Sequence, residues 1–169
     1  MHRALLETEL KDYRAAIADL DTAIKLIPAS EELYLYRGLA KQYINEHLAA
    51  IADFTEVIKW DAPLGDIGVV ETDISDPMHP KQVVKKETIT TTLSYKDRAA
   101  SKYQLKDYNG ALADYKKALS YDPKFAEVYY QRAMMRVEMK QFAEACADFC
   151  KAKELGYKDS DEMIKKYCK

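Results

Sequence analysis

Residues 93–123 read LSYKDRAASKYQLKDYNGALADYKKALSYDP, and much of the chain copies this unit. Its apolar residues recur at helical spacing on both sides of Lys106 and Asp107, which predicts two amphipathic helices joined by a short turn. Pro123 ends the second helix because proline cannot continue one. The structural unit of the chain is therefore predicted to be a pair of helices.

The same unit recurs at fixed offsets, which is the signature of a repeat protein. Ala111 has counterparts at Ala145, Ala50 and Ala16, where 145 − 111 = 34, 111 − 50 = 61 and 50 − 16 = 34. Four other columns keep these offsets: Tyr115/Phe149/Phe54/Leu20, Ala118/Ala152/Val57/Ala23, Asp114/Asp148/Asp53/Asp19 and Arg98/Arg132/Arg37/Arg3. The period is thus 34, except between the second and third copies, where 61 − 34 leaves a 27-residue insert.

A 34-residue pair of helices whose second helix reads small–x3–aromatic–x2–small resembles the tetratricopeptide repeat (TPR). The resemblance covers the chain apart from the 27-residue insert and the C-terminal tail. The closing run ACADFCKAKELGYKDSDEMIKKYC resembles the end of some bacterial members of the family. The resemblance implies an all-α fold, a right-handed α-solenoid of about four TPR helix pairs with a C-terminal capping helix. It implies little about function, because this scaffold holds many different partners.

We expect a single domain over residues 1–169, divided as follows: repeat 1, partial, at 1–28; repeat 2 at 31–61; an insert at 63–89; repeat 3 at 92–123; repeat 4 at 126–157; and a capping helix at 158–169. Repeat 1 lacks about one helical turn relative to the others. This fits either an array that is capped abruptly or a fragment of a longer array.

Small and capping residues mark where helices meet and begin. Gly38 and its counterparts are expected where two helices approach too closely for a large side chain. Ser30 has the N-cap chemistry for repeat 2, and Thr91 or Thr92 has it for repeat 3.

The insert differs in composition from the repeats. Its β-branched residues predict two extended segments, Ile67–Ile74 and Gln82–Ile89, joined through Pro77 and Pro80. An ordered hairpin packed on the helices and a disordered loop both fit, since a lone hairpin is marginal in water. Insertions of this length are often functional, so we expect the insert to border the binding surface.

Composition argues against several classes of protein. The chain of 169 residues has a net charge of −2 and a pI near 6.0, without the basic stripe of a nucleic-acid-binding protein. No apolar run approaches the roughly 20 residues of a membrane span. No signal peptide is visible, which predicts a cytoplasmic protein unless a leader has been removed.

Catalysis finds little support in the sequence. The three histidines, His2, His47 and His79, stand far apart in the repeat scheme, and His47 is most simply a substitution at the start of a helix. No phosphate-binding loop, paired-histidine motif or nucleophile elbow occurs. We therefore predict a protein that is not an enzyme and carries no cofactor.

The cysteines share one end of the chain. Cys146 and Cys150 are four residues apart on one helix face, but a closed zinc site needs four ligands. We expect no metal site, but buried and unreactive thiols beneath the capping helix, with Cys168 nearby. An odd number of cysteines gives no disulfide framework.

An arginine precedes an aspartate at the same 16-residue offset in every copy: Arg3/Asp19, Arg37/Asp53, Arg98/Asp114 and Arg132/Asp148. The two helices of a repeat run antiparallel, which can bring these positions together. We predict an interhelix ion pair in each repeat, in preference to a row of ligand-binding arginines.

In the family that the sequence resembles, the first helix of each repeat lines a concave face. The residues expected there are Leu5, Leu35, Leu39, Lys96, Tyr103, Tyr130 and Met134. Such an apolar and aromatic groove suits a peptide segment of a partner protein, although a third or more of these residues should pack against neighbouring repeats. Some members of the family hold the carboxylate of chaperone tails with a clamp of asparagines and lysines on successive repeats, and no such clamp is evident in this sequence.

The leading hypothesis is therefore a non-catalytic interaction module that binds a peptide segment of a partner protein in its concave groove. The alternative is a structural scaffold that forms homo-oligomers through the truncated N-terminal repeat or the insert.

Overall fold

The computed structural model describes residues 12–60 and 86–168. Within these two ranges the regular structure is entirely helical. The helices are α1 (Tyr13–Leu26), α2 (Glu31–Tyr43), α3 (His47–Trp60), α4 (Lys86–Gln104), α5 (Tyr108–Tyr121), α6 (Ala126–Glu138), α7 (Phe142–Glu154) and α8 (Ser160–Tyr167).

Helices α2/α3, α4/α5 and α6/α7 form hairpins, and each hairpin packs mainly on its neighbours along the chain. This succession is the predicted α-solenoid, and the all-α fold class is confirmed. Ser30 lies at the N-cap of α2, as expected, although its side chain makes no capping hydrogen bond. None of the described helices is both long and apolar enough to cross a membrane.

The turn inside each hairpin has the same form. Asn45, Lys106 and Lys140 occupy equivalent positions and have φ angles of 62°, 64° and 60°. The N–H of the following residue donates to a carbonyl five residues back, for example from Asp107 to Lys102 at 2.9 Å. This is the Schellman ending of a helix, in which a left-handed residue reverses the chain.

Small apolar clusters lie within the repeats and across their junctions; for example, Tyr115 of α5 clusters with Val128 of α6. In repeats 2, 3 and 4 the second helix supplies a small residue and an aromatic residue one turn apart, and Ala50 and Phe54 of α3 are fully buried. A Cβ built on Gly38 would lie 2.7 Å from the Phe54 ring. The expected close approach of two helices at Gly38 is therefore confirmed.

The start of repeat 3 differs from the sequence expectation. Helix α4 begins at Lys86, so the last four residues of the proposed extended segment Gln82–Ile89 are helical. Thr91 and Thr92 do not cap this helix but lie buried within it. Burial against a neighbouring helix overrides the weak helix propensity of threonine. Ile67–Ile74 falls outside the described residues.

The C-terminal helix α8 covers the last repeat. Its Met163, Ile164 and Tyr167 pack against the cluster that contains Phe149. A disulfide joins Cys146 of α7 to Cys168, just beyond α8, with a Cα–Cα distance of 5.5 Å.

The expectation of buried, unreactive thiols is therefore wrong. Cys150 is exposed, and the other two cysteines are bonded to each other. The spacing within α7 carried no information on where the end of α8 would lie. Once α8 lies along α7, its C-terminal end meets the N-terminal part of α7, where Cys146 is found.

Candidate functional site

Six of the seven residues predicted for the groove are described, and Leu5 lies outside the described residues. We call Leu35, Leu39, Lys96, Tyr103, Tyr130 and Met134 the first-helix face, because they lie on α2, α4 and α6.

The α2 part of the first-helix face belongs largely to the core. Leu35 is only 8% exposed and packs with Ala50, Phe54 and Val57, while Leu39 packs against the same cluster. These two leucines therefore offer less surface to a partner than the residues of α4 and α6.

Helix α6 presents an aromatic surface beside the capping helix. The ring of Tyr130 lies 4.6 Å from the ring of Tyr157 and 5.6 Å from that of Phe149. Met134, one turn along α6, is partly buried against the same cluster. Burial raises the pKa of the Tyr130 hydroxyl, and the negative charges of Asp159 and Glu162 add to this shift.

Lys96 links repeat 3 to repeat 4. Its Nζ lies 3.1 Å from Asp97 Oδ1 and 3.5 Å from Glu127 Oε1. Burial opposes charging of Lys96, but the two carboxylates outweigh it and raise the pKa of its amine. For Asp97 burial outweighs the attraction of Lys96, so the pKa of this carboxyl is raised. Lys96 is thus held by two acids and is not a free cation on the face.

The other end of α6 carries a second polar cluster. The hydroxyl of Tyr103 donates to Glu138 Oε1, and that of Tyr108 donates to Oε2 at 3.3 Å. Lys106 Nζ lies 3.5 Å from the same Oε2. The hydrogen bond from Tyr103 is the main cause that lowers the pKa of Glu138. These contacts fix the edge of the α4/α5 hairpin to the end of α6.

The sequence reasoning missed Glu127, Glu138 and Tyr157 as neighbours of the face. Glu127 and Glu138 stand three residues before Tyr130 and four residues after Met134, so helical spacing alone places them on the same side of α6. Tyr157 follows the turn at Gly156, and its position depended on the packing of the capping segment. Helical spacing from Tyr130 and Met134 is therefore the sequence signal that marks the two glutamates.

The Arg–Asp columns form the predicted ion pairs. Arg37 Nη2 lies 2.6 Å from Asp53, Arg98 Nη2 lies 2.7 Å from Asp114, and Arg132 Nη2 lies 2.6 Å from Asp148. In each pair the arginine Nε bonds the second carboxylate oxygen, so the contact is bidentate. The prediction is confirmed for these three repeats, and the Arg3/Asp19 pair stays a prediction because Arg3 lies outside the described residues.

Each aspartate also takes a second cation that the columns did not reveal. Lys41 Nζ lies 2.8 Å from Asp53, Lys102 Nζ lies 2.7 Å from Asp114, and Arg136 bonds Asp148. These cations stand four residues after the column arginine, one helical turn away. We call each set of two cations and one aspartate a triad.

No group of three or more potential metal ligands converges within the described part of the chain. His47, the first residue of α3, is half-buried, and its Nδ1 has no hydrogen-bond partner among the described residues. On the first-helix face, the described geometry brings together tyrosine rings and a methionine, which are side chains enriched at interfaces.

Family comparison agrees with the repeat pattern. A family model described as "TPR repeat" matches residues 101–135. A second model, described as "Tetratricopeptide repeat", matches residues 1–30 and 126–155. No curated protein is similar enough in sequence to count as a relative.

Solved structures with the same succession of helices are similar in fold at low sequence identity. MamA superposes with a TM-score of 0.70 at 14% identity, covering 92% of this chain and 75% of that one. The Cut9–Hcn1 assembly of APC/C gives a TM-score of 0.76 at 13% identity, covering 98% of this chain and 29% of that chain. YrrB, described as having an unusual peptide-binding site, gives 0.63 at 15% identity, covering 90% and 65%.

Proposed function

Because the chain belongs to the tetratricopeptide repeat family, we propose that it is a non-catalytic interaction module that binds a peptide segment of a partner protein. The segment would lie in the groove lined by the first helices, with Tyr103, Tyr130 and Met134 as its apolar contacts. The observation that carries this proposal is the set of partly exposed rings along α6, with Tyr103 on Glu138 at one end and Tyr130 against Tyr157 at the other.

The chemistry of these side chains suits a surface that binds a peptide. Tyrosine and methionine are enriched at interfaces. The tyrosine ring buries much apolar area at a low cost in side-chain entropy, and the flexible methionine side chain fills irregular gaps. The rings of Tyr130 and Tyr157 are already held against each other, so a partner would meet an ordered surface. Likeness in fold to YrrB, which has a peptide-binding site, is consistent with the proposal.

The experiment is a pull-down with wild-type protein and with the double variant Tyr103→Ala, Met134→Ala. We expect the wild type to retain a protein that the variant loses. The matched control is Leu26→Ala, Leu48→Ala, which removes two apolar side chains that are 78% and 75% exposed elsewhere on the surface. Equal recovery from all three proteins would count against the first-helix face.

The insert is proposed to border the same groove and to gate or extend it. Removal of residues 66–83 leaves helix α4 intact, since α4 begins at Lys86. Loss of the retained protein in this deletion variant would support a role for the insert, whereas full recovery would remove the insert from the proposal.

Self-assembly is the competing proposal. Light scattering during size-exclusion chromatography distinguishes the two. A stable dimer or larger species at micromolar concentration would favour the structural scaffold, and a monomer at high concentration would weaken it.

A further inference from the structure

The arginine of each triad reaches back towards the preceding repeat. Arg37 Nη1 lies 2.7 Å from Asp21 Oδ1 of α1, and Arg98 Nη1 lies 3.0 Å from Thr55 Oγ1 of α3. Asp21 and Thr55 are separated by one 34-residue period and therefore occupy the same position in their repeats. At the first two junctions between repeats, the chain itself thus supplies an acceptor for the arginine.

The third junction, between α5 and α6, lacks this acceptor. The position in repeat 3 that corresponds to Thr55 is Lys116, one place after the column residue Tyr115, and it is exposed. Arg132 keeps its two bonds to Asp148, at 2.8 and 2.6 Å, but its Nη1 has no acceptor among the described residues. A donor thus stands at the position that supplies the acceptor in the two preceding repeats.

The side-chain acceptors for the two cations decrease along the stack, and at the third junction the backbone carbonyl of Glu144 also accepts from Arg136, at 3.3 Å. At the first junction an arginine and a lysine face two carboxylates, Asp53 and Asp21. At the second they share one carboxylate, and the hydroxyl of Thr55 completes the bonds of the arginine. At the third, Arg132 and Arg136 share one carboxylate, and neither forms another ion pair within the described residues.

Both of these arginines are held away from most of the solvent. Their side chains are 12% and 14% exposed, and Arg136 Nε is buried without a partner among the described residues. Water therefore compensates their charge less well than it does at an open surface.

From these observations we propose a binding site for a carboxylate at the third junction, where the group would accept from Arg132 Nη1 with Lys116 beside it. The ligand would be an acidic side chain of a partner protein. A carboxylate is the group that Asp21 supplies at the first junction, and a charged acceptor strengthens a guanidinium hydrogen bond more than a neutral one does. The site uses none of the residues of the first-helix face, so this proposal and the proposed function succeed or fail separately.

One variant supplies the missing group from the chain itself. Lys116→Asp places a carboxylate where Asp21 stands in repeat 1, and Lys117→Asp is the matched control on the same exposed turn of α5. Both variants change the charge equally and place an acid at nearly the same distance from the helix end. We expect Lys116→Asp to melt roughly 2–4 °C above Lys117→Asp. Equal melting temperatures, or a lower one for Lys116→Asp, would overturn the proposal.

The second readout uses acetate as the carboxylate probe and inorganic phosphate as the competing oxyanion, at constant ionic strength set with chloride. In wild type and Lys117→Asp, acetate should shift the amide NMR signals of residues 114–118 and 130–136 in a saturable way. In Lys116→Asp these shifts should fall at least several-fold, because the new aspartate occupies the proposed carboxylate site. The same response in all three proteins would contradict the site. A response to phosphate that exceeds the response to acetate would overturn its assignment to a carboxylate.

Discussion

At the residue scale, a buried carboxylate that bridges two cations joins the two helices within each of repeats 2, 3 and 4. Asp114 is 5% exposed and accepts from Arg98 through both of its oxygens, while Lys102 approaches the second oxygen. A carboxylate in such a position is stable only while its partners remain, since the bare ion is costly to bury.

Replacing Arg98 with methionine should therefore destabilise the fold by about 3 kcal/mol, the lower end of the range for a broken buried pair, because Lys102 stays in place. Urea denaturation measures this difference. Lys59→Met is the control, since Lys59 forms a surface pair with Glu56 and is 62% exposed, and it should cost less than about 1 kcal/mol. An unchanged midpoint for Arg98→Met would contradict the structural role of the triad.

Asp97 gives a prediction about pH. Burial raises the pKa of its carboxyl above the ordinary value, so the folded state favours the protonated form. Stability from this group is fully present below the pKa of the unfolded chain and is lost as the pH rises through the pKa of the folded state. At pH 7 the charged carboxylate therefore costs stability.

The isosteric change Asp97→Asn should consequently raise the melting temperature at pH 7, and the gain should shrink at pH 4. The exposed Glu46→Gln should show no comparable gain at either pH. A lower melting temperature for Asp97→Asn at pH 7 would show that attraction to Lys96 outweighs burial.

The left-handed residues of the turns give a prediction of stabilisation. Lys140 has a φ of 60°, a conformation that costs a residue with a Cβ but not glycine. Lys140→Gly should therefore stabilise the protein by roughly 0.5–1 kcal/mol, measured by urea denaturation. The same change within helix α5, Lys116→Gly, should destabilise it by about 1 kcal/mol. If both glycine variants changed the stability in the same direction, the left-handed turn conformation would not be the cause of the effect at Lys140.

The sequence predicted the contacts of some single residues well. The 16-residue offset of arginine and aspartate predicted the ion pairs because it places one partner on each helix of an antiparallel pair. Lys41, Lys102 and Arg136 recur at the repeat offsets, since 102 − 41 = 61 and 136 − 102 = 34. They were missed because long basic side chains on a helix surface are usually solvated. Whether a position faces a neighbouring repeat depends on how the repeats stack, and the sequence of one repeat does not contain that information.

At the scale of elements, the stability of the capping helix α8 depends on its contacts with the last repeat. Helix α8 has eight residues, too few to be stable alone in water. Its apolar side chains pack against Phe149, and the Cys146–Cys168 bond closes the end.

Cys168→Ser, or reduction of the wild type, should destabilise the packing of α8 on α7. The expected loss is roughly 3 kcal/mol, the chain-entropy value for a loop of this size. Hydrogen exchange of the amides of residues 160–167 measures the opening directly, and exchange in α2 and α3 should stay unchanged. Cys150→Ser is the control, because Cys150 is exposed and free. Unaltered exchange in α8 on loss of the bond would show that packing alone holds this helix.

The elements also show what the sequence could not settle. The helix pairs followed from apolar spacing, and Gly38 marked a close contact correctly. The beginning of α4 was misjudged because threonines favour strands and caps in isolation, whereas here Thr91 is buried in the helix. The partner of Cys146 could not be predicted, since it required the position of α8 on α7.

At the scale of the whole molecule, the described repeats stack because no single helix pair can bury its own apolar face. The period of the sequence predicted this architecture, and period and fold agree across the described residues. In the proposed function, the first helices use one side for the core and the other side for a partner. In α2 the core takes much of that side, whereas α4 and α6 keep rings and carboxylates partly exposed.

The most direct test of this account is hydrogen–deuterium exchange of the protein with and without the partner that the wild type retains in the pull-down. The account predicts slower exchange in residues 96–104 of α4 and 127–138 of α6, with little change in the second helices α3 and α5. Protection confined to those second helices, with α4 and α6 unaffected, would contradict the claim that the first helices form the docking face.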